Sequence, residues 1–370
     1  MNDWTKRIDT LITLHETVGV GWQSIRKAVE YGQWNAYNHF TPEAWMSSVG
    51  LKPEQAKALS NAFATVEPDV RKAQAAKRGI SILTYFDEGY PELLKQAPQP
   101  PWVLYAIGRL DLLSRSSIAI VGTRGPTSYG KKTAYTIGEQ LSMRGITVVS
   151  GLARGIDAKA HEGALIGAGS TIAVLGTPVD RVYPVENRML YEQIAAKGLV
   201  ISEVAPGTPL HPGLFPMRNR IIAGLTLGTV VVEAAERSGS LITADQALDM
   251  SRDVFAVPGP ISSPKSAGTN ALIRQGAKLI ATCEDILEEY AGLPELNAGF
   301  MRVGDQAADL DVSLTENEAL IYQLLVQEAR STDELHELTS FPFGLLHSVL
   351  INLTIKRKIE LHSGSIYSVL

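Results

Sequence analysis

Six short apolar runs spaced through residues 118–257 constrain this chain more than any other feature. Ile118–Val121 ends at Gly122, Ile146–Val149 at Ser150-Gly151, and Ile172–Leu175 at Gly176. Leu199–Ile201 ends at Ser202, Val230–Val232 at Glu233, and Val254–Val257 at Pro258-Gly259. Segments of helical character lie between most of them, over 129–143, 155–167, 187–197 and 240–252. Near-continuous apolar strands alternating with helices predict an α/β fold, a parallel sheet covered on both faces. Ligands of such sheets bind beyond the carboxyl ends of the strands. Those ends are where this sequence gathers Gly, Ser, Thr and Arg, so one pattern predicts both the fold and the place of its site.

The flanks read differently. Residues 1–75 predict a helical domain. Leu11, Leu14, Val18 and Ile25 keep roughly helical spacing and Gly19 and Gly21 punctuate them. A second unit, Trp45–Phe63, has Gly50 ahead of Pro53, a residue suited to a first helical turn. The pair reads as two helix-turn-helix hairpins. Two roles stay open for it: phosphate contact through turn amides, or helical packing and protein contact. Ala97-Pro98-Gln99-Pro100-Pro101 reads as a stiff extended linker, and 292–312 as a second linker. Beyond it Thr315 is a candidate helix cap. Ser331–Leu338 and Phe341–Leu353 predict two more helices, and Ile359–Val369 a β-like tail. Three helices plus a hairpin suggest a winged helix over 312–370.

The strand ends carry the candidate chemistry. Gly122-Thr123-Arg124-Gly125 followed by a helix suits an anion. Turn amides point outward, the helix start carries positive partial charge, and Arg124 offers a bidentate phosphate contact. A tight turn needing only its glycines explains the same residues. Ser150-Gly151-Leu152-Ala153-Arg154-Gly155 repeats the design, with Arg154 as the cation. His161 falls four residues after Asp157, on the same helical face. No G-x-S-x-G elbow surrounds Ser150, so a helix-stiffening Asp–His contact is expected there rather than a triad. In Phe215-Pro216-Met217-Arg218-Asn219-Arg220, Phe215 is placed to stack on a base and the arginines to hold phosphates. The alternative makes Phe215 core and the arginines ion-pair partners. Side chains two residues apart do not share a helix face, so at most one of Arg218 and Arg220 is expected at the ligand. Ser238-Gly239-Ser240 is an amide nest or a plain helix cap.

Several function classes are disfavoured. Gly125–Lys132 nearly spells a P-loop, but Lys132 stands where a Mg²⁺-holding hydroxyl belongs. The GxGxxG fingerprint and its ribose-binding acid are missing. One cysteine, Cys283, and scattered histidines give no zinc set and no intrachain disulfide. A net charge of −5 excludes a uniformly basic coat and leaves room for a local basic site. No pair of carboxylates, metal cluster or activated nucleophile converges with the strand-end turns. Binding of an extended polyanion is therefore expected rather than catalysis, with no cofactor and no metal. Met1–Arg7 lacks an apolar stretch of signal-peptide length, and no run of about 18 apolar residues occurs. A cytoplasmic protein without membrane contact is expected.

Taken together, Val121-Gly122-Thr123-Arg124, Ser150–Asp157, Phe215–Ile222 and Ser238–Thr243, with Val257-Pro258-Gly259 and Gly268-Thr269-Asn270, resemble the motifs of the DNA-processing DprA (Smf) family. They occur in that family's order over residues 80–291. The resemblance implies an extended Rossmann-like domain, flanked by the N-terminal helical domain and a C-terminal winged helix. It also implies a single-stranded DNA-binding recombination mediator of natural transformation. Such a protein protects incoming strands, loads the RecA recombinase, forms a homodimer and needs no NTP. By motif, Gly122, Thr123, Arg124, Ser150, Gly151, Arg154, Gly155, Phe215, Arg218, Asn219, Arg220, Ser238, Gly239 and Ser240 are the expected DNA-binding residues. Some members carry a Lys three residues before the Phe. This chain has Pro212 there, with His211 beside it as the substitute candidate. The runner-up class is a nucleotide or nucleoside-phosphate hydrolase using the same sheet edge. Residues 311–370 hold four Lys or Arg against eight Asp or Glu, a net of −4, and an apolar third helix. Groove-reading helices present cations and amides, so protein contact is the expected role of this region, with Lys356-Arg357-Lys358 as its basic turn.

Overall fold

The computed structural model describes residues 3–65, 68–209, 213–292, 315–355, 358–362 and 365–369. Leu210, His211 and Pro212, most of the second linker, and Lys356 and Arg357 lie outside the described residues. The chain divides into two compact units, Met1–Val303 and Gly304–Leu370.

The first unit is built on a nine-stranded, mostly parallel sheet. Its strands are β1 Ser81–Thr84, β2 Val103–Gly108, β3 Ser117–Val121, β4 Thr147–Ser150, β5 Thr171–Leu175, β6 Leu199–Ser202, β7 Gly228–Val231, β8 Asp253–Ala256 and β9 Lys278–Leu279. They lie in the order β1-β2-β6-β5-β4-β3-β7-β8-β9. From β6 to β9 all pairings are parallel, whereas β2 runs antiparallel to both its neighbours. The chain builds β3 to β6 in one direction, then returns to the far side of β3 with β7. The strand order therefore reverses beside β3, which is where open α/β sheets hold ligands.

Alternate residues of each strand enter different cores because helices cover both faces. Ala119 and Val121 pack with Ile221, Ile222 and Ala244 on one side. Ile118 and Ile120 pack with Ile137, Leu141 and Ile156 on the other. This double burial is why the strands read as continuous apolar runs. The crossover helices are α7 Ser128–Met143, α8 Ile156–Ala164, α9 Arg188–Lys197, α10 Leu214–Leu225 and α11 Gly239–Asp249.

Helices α1 to α5 occupy Asp3–Glu16, Trp22–Tyr31, Pro42–Val49, Pro53–Thr65 and Pro68–Lys77. Left-handed Gly19 and Gly50 make the two hairpin turns, and Gln55 Nε2 donates to the Gly19 carbonyl at 2.8 Å, bracing one turn against the next hairpin. These helices share a core with the sheet: Leu11, Ile25 and Trp45 belong with Val103, Tyr105 and Val200. Trp22 stacks on Trp102 at 5.5 Å, and its indole N–H donates to the Pro100 carbonyl at 2.7 Å. The Ala97–Pro101 segment is therefore no free tether. Pro100 and Pro101 are buried, and the sheet already begins upstream at Ser81. Prolines that stiffen an exposed linker serve here as a packed entry to β2.

The second unit holds helices α14 Glu316–Gln327, α15 Thr332–Thr339 and α16 Phe343–Ile355, numbered after α6 Glu92–Lys95, α12 Ala267–Arg274 and α13 Glu284–Glu289 of the first. Thr315 and Ser331 each form a reciprocal capping box, with Glu318 and Glu334 respectively. A three-stranded antiparallel sheet joins Arg330–Ser331, Ile366–Val369 and Ile359–His362. Among the described residues, no helix is long and apolar enough to cross a membrane.

Candidate functional site

Two adjoining cavities open beyond the carboxyl ends of β3, β4 and β7. The first, about 480 Å³, is bordered by Gly122, Thr123 and Arg124 after β3, by Phe215, Arg218 and Asn219 of α10, and by Arg237 to Ser240 at the start of α11. The second, about 370 Å³, lies between Arg124, Gly151, Arg154, Tyr183, Pro184, Phe215 and Arg218. Three turns distant in sequence thus meet around one depression, as the strand order requires.

The local geometry explains each turn. Gly155 sits at φ +85°, and a Cβ there would meet Arg124 and Pro126 of the neighbouring turn. Gly155 thereby lets the β3 and β4 turns touch without itself lining either cavity. Gly151 leaves the space that the Arg218 guanidinium fills. Ser150 is buried, and its hydroxyl donates to the Ile120 carbonyl at 2.6 Å. It locks β4 to β3 and does not reach the depression.

Two of the three expected amide cradles are already filled by the protein's own carboxylates. At the start of α7, the Thr127 amide donates to Glu233 Oε2 at 2.9 Å, and the Thr127 hydroxyl donates to the same carboxylate. Thr127 Oγ1 also accepts the Gly130 amide at 3.1 Å. An anion therefore already rests on this helix N-terminus, where the P-loop reading would put phosphate. At the β4 turn, Asp157 accepts from the Gly151 and Ala153 amides at 3.1 and 3.4 Å. His161 and Asp157 do not pair with each other as the spacing suggested. Each holds the turn separately. The Leu152 amide donates to His161 Nε2 at 3.3 Å, and Nδ1 lies 2.7 Å from Thr171 Oγ1. The Thr171 hydroxyl donates in turn to the Val148 carbonyl, so Nδ1 carries the proton and the imidazole is neutral. Ser238 caps α11, accepting the Ser240 amide at 3.4 Å, and this helix start borders the open cavity.

Burial pushes His161 down to about 3, with the Arg218 charge adding to the effect. The unfolded chain takes up a proton near 6.5 that the folded imidazole refuses. Stability is therefore expected to fall as pH drops below about 6.5, by about 1.4 kcal/mol per pH unit at the steepest. Urea unfolding at pH 7, 6 and 5, compared with His161→Gln, checks this. Equal pH slopes in the two proteins would contradict it.

The two arginines of α10 separate as helical geometry demands. Arg220 Nη2 donates to both carboxylate oxygens of Glu203, at 2.7 and 2.8 Å, and the residue lines neither cavity. Where a DNA contact was expected, the structure shows a partly buried ion pair. Arg218 borders both cavities but is itself buried. Nη1 donates to the Gly151 carbonyl at 2.6 Å and to that of Val174, while Nε donates to Asn219 Oδ1 at 3.2 Å. Burial lowers it to about 10, against the opposing pull of Asp157. Arg124, Arg154 and Arg237 are exposed at the rim. Arg154 pairs with Glu186 at 2.6 Å, both side chains being about 60% exposed. Arg237 and Tyr183 were not among the expected residues. The signal for Arg237 was present, because each of β3, β4 and β7 is followed within six residues by an arginine.

Comparison with known proteins places this arrangement. Residues 81–291 match the family model of the DNA recombination-mediator protein A. The chain is 43% identical over 249 residues to the DNA processing protein DprA of Bacillus subtilis, covering 66% of this chain and 83% of that protein. It is 46% identical over 222 residues to protein Smf of Synechocystis, covering 59% of this chain and 56% of that protein. The X-ray structure of DprA from Streptococcus pneumoniae superposes with a TM-score of 0.66 at 36% identity, covering 76% of this chain and 97% of that one. DNA processing protein A from Helicobacter pylori, studied for its single-stranded DNA binding mode, superposes with a TM-score of 0.53 at 31% identity, over 58% and 96%. With that match running through β1 to β9 and every strand-end turn, the chain belongs to the DNA recombination-mediator protein A family, also known as DprA or Smf.

Proposed function

We propose that this protein binds single-stranded DNA along the carboxyl edge of its sheet and hands it to the RecA recombinase, protecting incoming strands during natural transformation. It acts in the cytoplasm as a homodimer and without turnover. The observation that carries this reading is the meeting of three exposed arginines, Arg124, Arg154 and Arg237, around a depression containing Phe215 and Tyr183. Cations spaced along a groove follow a phosphate backbone, and aromatic rings accept unpaired bases. The relative from Helicobacter pylori, studied in its single-stranded DNA binding mode, supports the same reading. The side chains a hydrolase would use are committed elsewhere: Ser150 to Ile120, His161 to Leu152 and Thr171, and Asp157 to turn amides. The second unit, with its helix–strand–helix–helix–hairpin order, serves as a winged helix that contacts protein rather than DNA.

Binding to fluorescent oligo-dT against a duplex of equal length, at two salt concentrations and without nucleotide, tests the reading. A salt-sensitive preference for the single strand is expected. Binding to neither, or turnover of ATP or AMP, overturns it in favour of a hydrolase. A second expectation concerns Glu186, whose carboxylate competes with phosphate for Arg154. Glu186→Gln should tighten oligo-dT binding about two- to fivefold, in line with an exposed pair worth up to about 1 kcal/mol. Weaker binding by this variant would show that the pair orients Arg154 instead.

A further inference from the structure

The free positive charge of this sheet edge lies on one side of the depression. On the β5 side the cations are already paired, Arg154 with Glu186 and Arg78 with Asp180. On the β7 and β8 side, Lys132, Arg237 and Lys265 have no ion pair among the described residues. That side is formed by residues 121–133, 233–238 and 257–266, which contain two carboxylates, Glu233 and Glu236. Glu233 is buried against Thr127, which leaves Glu236 as the exposed negative charge. The surface is therefore locally basic on a protein whose net charge is −5.

Local packing brings the three segments together. Glu233 holds the start of α7 against the end of β7. The Ala234 amide donates to the Lys265 carbonyl at 2.8 Å, and the Gly268 amide to that of Ala234 at 2.8 Å. Asn270 clamps the loop after β8. Its Nδ2 donates to the Gly259 carbonyl at 3.0 Å, and its Oδ1 accepts the Gly259 amide at 3.3 Å. Ser266 fills the space that a Cβ on Gly259 would need. Val257-Pro258-Gly259 and Gly268-Thr269-Asn270 thus build a braced loop, and Ile261 at its tip is 100% exposed. On α7, Gly130, Ala134 and Ile137 face the core. Tyr129 and Lys132, three residues apart, share the outer face. The Tyr129 hydroxyl lies 3.4 Å from the Pro258 carbonyl, which sets that face beside the loop, and the residue stays 51% exposed. An exposed ring and tip held in place lose little freedom on binding.

We propose that this surface, outside both cavities, is a second contact zone that holds the strand where it leaves the depression. Lys132 and Lys265 take phosphates, the Tyr129 ring takes the face of a base, and Ile261 borders the bases as an apolar edge. Arg237, which also borders the first cavity, joins the two zones. Cations without protein partners give up nothing when they meet a polyanion, and an aromatic face among them accepts any base. The inference rests on the single-stranded DNA reading and adds a direction to it. The strand continues toward β8, over unpaired cations, and not toward β5, where carboxylates already hold them.

Oligo-dT of about 5 and about 15 nucleotides, spanning the site sizes of strand-binding folds, separates the zones. The short strand occupies the depression and the long one reaches both. The double variant Lys132→Ala/Lys265→Ala should bind the long strand about tenfold more weakly, in line with two exposed charge contacts. It should bind the short strand as the wild type does. Its salt slope on the long strand should shrink by about 1.4, two phosphate contacts at about 0.7 each. Tyr129→Ala should lose about tenfold on the long strand with an unchanged salt slope, and Tyr129→Phe should recover it. Thermal unfolding of each variant guards against a loss of fold. Wild-type affinity of these variants for the long strand overturns the second zone and leaves the depression as the DNA site. Equal loss on both lengths also overturns it, by placing these residues in the path through the depression. If Ile261→Asp binds both strands like the wild type and changes the oligomeric state in sedimentation, the loop is a contact between copies, which overturns its place in the zone. A wild-type protein that binds neither strand removes the DNA reading and this proposal together.

Discussion

Arg124→Ala is expected to lower affinity for oligo-dT by about 10- to 100-fold, the equivalent of about 1.5–3 kcal/mol for hydrogen bonds to a charged group. Arg124 is exposed, borders both cavities, and has no ion pair among the described residues. Unlike Arg154, it gives up no protein partner when it meets phosphate. The loss should carry an electrostatic signature. The slope of log affinity against log salt should shrink by about 0.7 for each phosphate contact removed from a single strand. An exposed side chain contributes little to the fold, so the stability change should stay within about 0.5 kcal/mol. Anisotropy titrations across a salt series, with thermal unfolding in parallel, measure all three quantities. An unchanged slope and affinity would take the DNA path away from this edge of the sheet.

Arg218→Ala should behave in another way, although the residue sits only a turn of chemistry away. We expect a loss of about 3–5 kcal/mol of stability, the range for breaking a buried charge arrangement by removing one partner. Without the guanidinium, the Gly151 and Val174 carbonyls lose a donor, and the buried Asp157 loses the charge that opposes its desolvation. Any fall in DNA affinity would follow from a loosened β4 turn. Urea unfolding resolves the matter. A variant of wild-type stability with weakened DNA binding would make Arg218 a direct ligand and contradict its structural role.

The sequence carried the doubly covered strands clearly, because residues buried on two faces must be apolar at every position. β1 and β2 escaped notice for a local reason: the proline cluster at 97–101 between them has the composition of an exposed tether. β9 is two residues long and offers no pattern. At the site, the rim arginines and the glycine turns were legible as local strings. The carboxylate on the start of α7 was not, because Glu233 lies 106 residues from the Thr127 it binds. Arg218 and Arg220 could be told apart in principle by helical phase, yet only Glu203, on a different strand end, decides which one turns away. Asp157 and His161 have the spacing of partners, and the spacing misled because nearby backbone groups claimed both first.

The reversal of strand order beside β3 has a consequence for a chain still on the ribosome. When β6 has emerged, β3 has β4 on one flank and nothing on the other. The Thr123 amide awaits the Glu233 carbonyl that later accepts it at 2.7 Å, and Arg237 is not yet made. Translation needs some seconds to deliver β7, at about 5–20 residues per second. During that interval the nascent protein has an open sheet edge and only part of its groove. The site is completed only when β7 and the start of α11 dock beside β3, so an unfinished copy has no complete groove with which to hold a strand.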